Sequence, residues 1–414
     1  MTIKNINIAA LALAIGSTFS AHASTDFFGY ARAGLHVSPD SPKGNGHPGY
    51  IRAEGAPNKY RLGNEDDWTE LGVRHDLYEE GTERAEIGFM MGTWHNPETR
   101  SNSFSIMQAW GQMYGILGGE KTSLWAGQRY TRNIADDMLD FKYWDNSGRG
   151  FGLRDIEAGD VLIDFATVYN NVAYTDYQDD SKTRRSAVMM PEFRVHGIDF
   201  LNGNLTLGVN YAVVVDDTDI KEHVGEGNYD RDGYMFTVNH KSNIAGAYNI
   251  FTVQMNGGIG VGGWHDGEGE LLNLTTPGTS YRIMNHGFCT INESWGCQYS
   301  LAYENISMDD ANDDGKDWFA VGIRPKYSWN QYMQTEVELG YQLVNSERYD
   351  DSNSSWKATL AQKFQLGTVP HIRFYATYAE AETNWQEVSF GKHSSEENTA
   401  IDSWTFGVQF EAWW

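Results

Sequence analysis

Basic residues are scarce in this sequence of 414 residues. It has 31 lysines and arginines against 56 aspartates and glutamates, which gives a formal net charge of −25. No run or stripe of lysine and arginine occurs anywhere along the chain, although a nucleic-acid-binding protein needs one to neutralise phosphates. We therefore expect no nucleic-acid partner.

Long apolar runs are also missing beyond the first 23 residues. A membrane-spanning helix needs about 20 consecutive apolar residues, so a helical membrane protein is excluded. A transmembrane β-barrel remains possible, because its strands alternate between apolar and polar residues and need no such run.

Cysteine occurs only twice, as Cys289 and Cys297. The pair lacks CxxC metal spacing, and in an oxidising, exported compartment we expect it to close a local disulfide loop rather than remain two free thiols. The stretch from Asp310 to Gly315 opens like a calcium loop, but the twelfth position is Val321, where a glutamate ligand would be needed. We predict neither a metal nor a cofactor.

The N-terminal segment has the features of a secretory signal peptide. Lys4 precedes the apolar stretch IAALALAI at 8–15, and an A-x-A cleavage site follows at 21–23. We expect residues 1–23 to be removed and residues 24–414 to form a single domain, since no linker or change in composition divides them. At roughly 22 residues per strand and loop, that domain would hold about eighteen strands.

Alternation with a period of two runs through the whole chain. In NLTLGVNYAV at 204–213 the odd-numbered positions are mostly apolar and the even-numbered ones mostly polar, and the stretches 333–341, 372–378 and 404–414 behave alike. Such stretches, about ten residues long, predict an all-β, antiparallel transmembrane barrel. A soluble β-sandwich could show the same alternation, but it has less reason to end on an aromatic residue after ten alternating positions.

The polar face of several predicted strands carries an aromatic ring beside a charged group. Sugars pack their C–H faces on rings and bond their hydroxyls to charged side chains, so a pore lined in this way suits carbohydrate. Rings that only fill a narrow barrel are the alternative, but four pairs on different strands of a wide barrel favour a lined channel. The pairs are Tyr30 with Arg32, Trp68 with Glu70, Arg373 with Tyr375, and Trp413 with Glu411.

The sequence resembles the maltoporin family of sugar-specific outer-membrane porins over essentially the whole mature chain. The resemblance implies an eighteen-stranded barrel in the outer membrane of a Gram-negative bacterium, a homotrimer, long outer loops and a third loop folded into the barrel. The matching stretches are FGYARAG at 28–34, KYRLGNE at 59–65, LWAGQR at 124–129, DFKYWDNSG at 140–148, GIRPKY at 322–327, residues 372–379 and the WTFG…WW terminus.

The resemblance also implies roles for individual residues. Aromatic residues of this family form a slide that guides oligosaccharides, and polar residues beside it bind sugar hydroxyls. The slide positions are Tyr30, Trp68, Tyr248 and Trp413, with Trp94 contributed across the trimer. The polar positions are Arg32, Arg61, Glu70 and Arg100, with Asp140 and Arg132 at the constriction.

The sequence departs from the family at the constriction, where Lys142 stands in place of a tyrosine. This lysine predicts altered ion selectivity or a preference for acidic or shorter sugars. The expected function is facilitated diffusion of maltose, maltodextrins or related oligosaccharides, without enzymatic activity. The alternatives are a general diffusion porin without sugar selectivity, and a secreted carbohydrate-active enzyme or lectin.

Overall fold

The computed structural model describes residues 24–39, 51–63, 67–96, 101–175, 183–218, 221–222, 230–244, 246–263, 278–309, 315–367, 370–389 and 392–414. The predicted signal peptide, residues 1–23, lies outside this part. Among the described residues, no helix is long and apolar enough to span a membrane. The strands are β1 Thr25–Val37, β2 Asp67–Glu80, β3 Glu83–Asn96, β4 Ser101–Tyr114, β5 Ser123–Arg129, β6 Arg132–Asp136, β7 Phe141–Asp145, β8 Gly148–Ala158, β9 Val161–Thr175, β10 Thr183–Phe200, β11 Gly203–Val214, β12 Asp232–Ile244, β13 Ala247–Gly258, β14 Gly278–Thr290, β15 Trp295–Met308, β16 Lys316–Asn330, β17 Met333–Ser346, β18 Asp351–Gln365, β19 His371–Ser389 and β20 Lys392–Trp413.

Eighteen of these strands form one closed antiparallel barrel. Each strand pairs with its neighbour in the chain, and β1 closes the ring by pairing with β20. The two remaining strands, β6 and β7, form a separate hairpin within the connection from β5 to β8. The predicted fold of about eighteen antiparallel strands is confirmed.

The alternation in the sequence separates the outer wall of the barrel from its inner wall. On β17, Leu339 and Tyr341 are exposed, whereas Glu338 and Gln342 are completely buried. Side chains of successive residues point to opposite faces of a strand, so the apolar set meets lipid and the polar set points inward. The parity predicted from the sequence is therefore confirmed for this strand.

The longest connections and most of the two-residue turns lie at opposite ends of the barrel. At one end, residues 81–82, 159–160 and 201–202 join strands by two-residue turns. Leu201 and Asn202 both have positive φ angles, of 41° and 59°, as tight hairpin turns require. The connections from β1 to β2 and from β5 to β8 are longer, and they start from the other end of the barrel.

The third long connection, residues 130–147, folds into the barrel as predicted, and we call it the third loop. The Tyr143 hydroxyl hydrogen-bonds with Thr252 Oγ1 at 3.0 Å and His286 Nε2 at 2.8 Å. The Trp144 indole N–H donates to Asn210 Oδ1 at 3.0 Å. These contacts reach strands β11, β13 and β14, so the loop lies against the inner wall.

The first long connection also folds inward, which the sequence analysis did not predict. We call its residues 51–63 the first loop. The Tyr60 hydroxyl donates to the Tyr341 carbonyl at 3.1 Å, and Lys357 Nζ donates to the Tyr60 carbonyl at 3.0 Å. The Arg61 amide donates to the Met138 carbonyl at 2.9 Å. The first loop therefore covers β17 and β18 and joins the third loop inside the barrel.

Glycines in the wall make room for the aromatic rings of both loops. A Cβ atom at Gly340 would lie 2.4 Å from the Tyr60 ring, and one at Gly208 would lie 2.2 Å from the Trp144 ring. Neither distance is compatible with normal packing. These two rings can approach the inner wall closely because the residues opposite them have no side chain.

We predict that Gly340→Ala displaces the first loop, because the new methyl group would overlap the Tyr60 ring and overpacking of this kind typically costs about 1–3 kcal/mol. The single-channel conductance should fall, because a loop pushed off the inner wall moves toward the axis of the channel. Gly111→Ala is the matched control, since the nearest atom to its Cβ is 3.9 Å away. Unchanged conductance and thermal stability for Gly340→Ala would contradict this account of the loop.

Candidate functional site

Five predicted residues meet on the inner face of three adjacent strands. Tyr30 on β1 lies directly opposite both Glu70 on β2 and Trp413 on β20. Arg32, two residues further along β1, lies opposite Trp68. Residues paired across antiparallel strands have Cβ atoms about 5 Å apart. The barrel therefore gathers three rings, a carboxylate and a guanidinium into one strip, which we call the aromatic strip.

Glu411 is the centre of charge beside the aromatic strip. Its carboxylate accepts hydrogen bonds from the Tyr30 hydroxyl at 2.6 Å, from Arg61 Nη2 at 2.5 Å and from Arg373 Nη1 at 3.1 Å. Nε2 of His371 lies 3.3 Å away. The sequence analysis placed this glutamate on the inner face but did not select it as a binding residue. Its function in the structure is to hold the predicted Arg61 and Tyr30 in place.

The tryptophans of the strip differ in how they reach the channel. The Trp68 indole N–H donates to Glu70 Oε1 at 2.9 Å, which fixes the ring beside the carboxylate. Trp413 keeps 50% of its surface exposed and touches the buried His371 ring edge-on, with centroids 6.5 Å apart. Trp414 is on the opposite face, where its ring packs against Gly29. The predicted inward orientation of Trp413 is therefore what the structure shows.

Three other predicted residues point inward but are covered. Arg32 is 6% exposed, and its guanidinium carbon lies 6.0 Å from the centroid of the Tyr30 ring. Arg373 and Tyr375 are 6% and 5% exposed. The Tyr375 hydroxyl hydrogen-bonds with His36, and its ring packs against Gly63 of the first loop. Tyr375 therefore cannot offer a ring face to a solute, which corrects the role that its parity suggested.

Tyr248 is not brought together with the aromatic strip. It lies on β13, opposite Phe288 on β14, and is half exposed. Trp94 has a backbone position on β3 directly opposite Trp68. The side chains of Trp94 and Arg132 lie outside the part of the chain that the structure describes, and so does the whole of Arg100.

The third loop supplies the two remaining predicted residues. Asp140 has a left-handed backbone with φ of 51°, and its carbonyl accepts a hydrogen bond of 2.6 Å from Asn58 of the first loop. Lys142 lies between Phe141 and Tyr143, which are both completely buried against the wall. By alternation, Lys142 points away from that wall. Burial also raises the pKa of the Tyr143 phenol, which stays protonated.

The two cysteines are cross-strand neighbours on the outer face. Cys289 on β14 lies directly opposite Cys297 on β15. Both thiols are free in the structure, whereas the sequence analysis favoured a disulfide. Because their backbones are adjacent, the disulfide stays a prediction.

One group of side chains has the spacing of a metal site. The possible ligand atoms of Asp155, Asp164 and His196 lie within 4.8 Å of one another. However, Asp164 already forms an ion pair with Arg194, and Arg154 lies 3.8 Å away. These two guanidinium groups neutralise the cluster, so we assign no metal to it.

Several solved outer-membrane proteins are similar in structure to this chain at low sequence identity. OmpT of Vibrio cholerae, solved in a trimer form, has a TM-score of 0.48 and 10% identity, over 95% of this chain and 99% of its own. The anion-selective porin of Comamonas acidovorans has a TM-score of 0.49 and 12% identity, over 95% and 100%. OpdK of Pseudomonas aeruginosa, solved with vanillate, has a TM-score of 0.49 and 11% identity, over 96% and 100%.

The sequence itself gives the stronger match. A sequence model of the family described as LamB porin matches residues 25–414, which is almost the whole chain and includes every strand of the barrel. The chain therefore belongs to the LamB porin family and is a channel of the Gram-negative outer membrane.

Proposed function

We propose that this porin is a channel for facilitated diffusion of maltose, maltodextrins or related oligosaccharides. The observation that carries the proposal is the aromatic strip, in which Tyr30, Trp68 and Trp413 lie beside Glu70 on three adjacent strands. A wall that only had to be hydrated would not need three aromatic rings within two residues of one another along the strands.

The strip would act through weak and repeated contacts. A sugar ring packs its C–H face on an aromatic side chain, and its hydroxyls exchange hydrogen bonds with charged groups at the edge of that ring. Conduction requires sites that are favourable enough to enter and weak enough to leave. Transfer from one ring to the next meets both requirements without an energy source or a cofactor.

The first loop makes this arrangement rigid. Arg61 projects from that loop onto the strip, where Nη2 donates to the Tyr30 hydroxyl at 2.7 Å and to Glu411. Arginine holds its donors in a planar fork, so a guanidinium fixed at one edge presents its other edge in a defined direction. We infer that Arg61 orients Tyr30 for stacking.

Unselective diffusion is the competing function. It is favoured by the burial of Arg32, Arg373 and Tyr375, since a solute cannot touch covered side chains. Fewer contacts remain than the sequence predicted, and the strength of the remaining ones decides between the two functions.

Saturable block of ion current by maltotriose tests the proposal. Removing one stacking ring should weaken binding by roughly 1 kcal/mol, so Trp68→Ala or Trp413→Ala should raise the half-blocking concentration about five- to tenfold. Trp404→Ala is the matched control, because Trp404 is exposed on the opposite face of β20. Current through the wild-type channel that no neutral sugar blocks would leave the general diffusion porin as the function.

The lysine of the third loop allows a second test. Replacing Lys142 by tyrosine adds a ring and removes a positive charge, so block by maltodextrins should strengthen and the preference for anions should fall. Lys142→Gln separates the two effects, since it removes the charge without adding a ring. If both variants are blocked like the wild type and have its reversal potential, Lys142 has no role at the constriction.

We also propose that the chain assembles as a homotrimer, as its resemblance to the maltoporins implies. Light scattering of the detergent-extracted porin should give a protein mass about three times that of one chain. Heating should then shift its mobility in a gel. A mass equal to one chain before heating would contradict the assembly.

A further inference from the structure

Two arginines on the inner wall of β2 to β5 are each held on an aromatic ring. The first is Arg74, which is exposed and whose guanidinium carbon lies 5.7 Å from the centroid of the Phe28 ring. The Phe28 ring lies on Gly72, where a Cβ atom would be 2.4 Å from it. Glycine, ring and guanidinium therefore form a stack of three layers.

The second stack has the same order of glycine, ring and guanidinium, with its residues on β3, β4 and β5. The Arg129 guanidinium carbon lies 4.4 Å from the centroid of the Trp110 ring. The Trp110 ring lies on Gly88, where a Cβ atom would be 2.4 Å from it. Arg129 also lies 5.6 Å from the Trp125 ring and donates to Gln112 Oε1 at 2.5 Å. Its guanidinium is therefore fixed on two sides.

The barrel register places the two stacks next to each other. Arg74 on β2 lies directly opposite Gly88 on β3, and Gly88 lies directly opposite Trp110 on β4. Neighbouring strands are about 4.8 Å apart, so Arg74 and Trp110 are about 10 Å apart across the glycine. Both guanidinium groups therefore border the same stretch of wall, and Arg74 lies four residues along β2 from Glu70 of the aromatic strip.

These two charges lack the carboxylate partners that other arginines of the wall have. A third arginine, Arg84, also stacks on a ring, but Glu86 Oε2 lies 3.6 Å from it. In the described part of the chain, no carboxylate oxygen lies within 4 Å of Arg74 or Arg129. Asp26 is opposite Arg74 in the register but is not within that distance. The wall therefore carries two fixed positive charges that have no carboxylate in direct contact, although Glu86 acts on Arg129 from a greater distance.

We propose that Arg74 and Arg129 form a binding site for the anionic group of an acidic oligosaccharide, such as the carboxylate of a uronic acid. Stacked guanidinium groups lose little side-chain freedom on binding and pair with carboxylates through charge-assisted hydrogen bonds. The proposal rests on the proposed function, because the aromatic strip delivers the sugar, and it adds a preference that the strip does not provide.

The experiment compares an acidic with a neutral trisaccharide as blockers of single-channel current. Trigalacturonate and maltotriose are titrated against the wild type, Arg74→Gln, Arg129→Gln and the double variant. We expect the double variant to bind trigalacturonate about tenfold more weakly and to bind maltotriose like the wild type. Its reversal potential in a salt gradient should also shift toward cation preference.

Two further variants keep the result interpretable. Arg84→Gln removes a stacked arginine that Glu86 already neutralises, so block by trigalacturonate should not change. Arg129→Lys retains the charge and should retain at least part of the acidic preference. An equal loss for both sugars in the double variant, or unchanged block by trigalacturonate, would overturn the site and leave the stacks as structural supports of the wall.

Inorganic phosphate distinguishes a sugar-borne anion from a free one. Phosphate should block far more weakly than trigalacturonate, because it lacks rings to stack on the aromatic strip. Equal block by phosphate would overturn the assignment to oligosaccharides. Failure of the proposed function would give a different result. Maltotriose would then not block the wild-type channel, whereas the arginine variants would still change the reversal potential.

Discussion

The inner wall of this barrel is polar. A polar side chain that is buried there loses its hydrogen bonds to water, and this costs free energy unless another group of the protein replaces them. Glu338 is completely buried, and its carboxylate accepts from Lys357 Nζ at 2.7 Å and from Arg324 Nε at 2.8 Å. Lys357 also donates to the first loop. Breaking a buried pair of this kind typically costs about 3–5 kcal/mol. The loops stay inside the barrel because their backbone carbonyls and polar side chains complete these networks.

Both loops dock on one part of the wall and leave another part open. The first loop contacts strands from β16 to β20 and reaches Tyr30 on β1 through Arg61. The third loop contacts strands between β8 and β16. Apart from the Arg61 contact, the aromatic strip on β1, β2 and β20 and the arginine stacks on β1 to β5 lie on the remaining arc. The position of the loops therefore determines which inward side chains can meet a solute.

The strands and the direction of their side chains could be predicted from the sequence, because the alternation of apolar and polar residues is visible within a single strand. Parity alone placed Tyr30, Trp68 and Trp413 on the inner face, and the structure agrees. Parity cannot show what covers a residue, however, and Tyr375 points inward as predicted yet lies beneath the first loop. Contacts between segments about 300 residues apart, such as the one between Tyr60 and Lys357, leave no local signal. The inward fold of the first loop was missed for the same reason.

Two inward-folded connections, residues 51–63 and 130–147, contribute side chains to the interior of the barrel. The main-chain ladder that closes the cylinder involves none of the residues 51–63 or 130–147. Substitutions and insertions in those two segments can therefore alter which cargo is admitted while the scaffold in the bilayer remains intact.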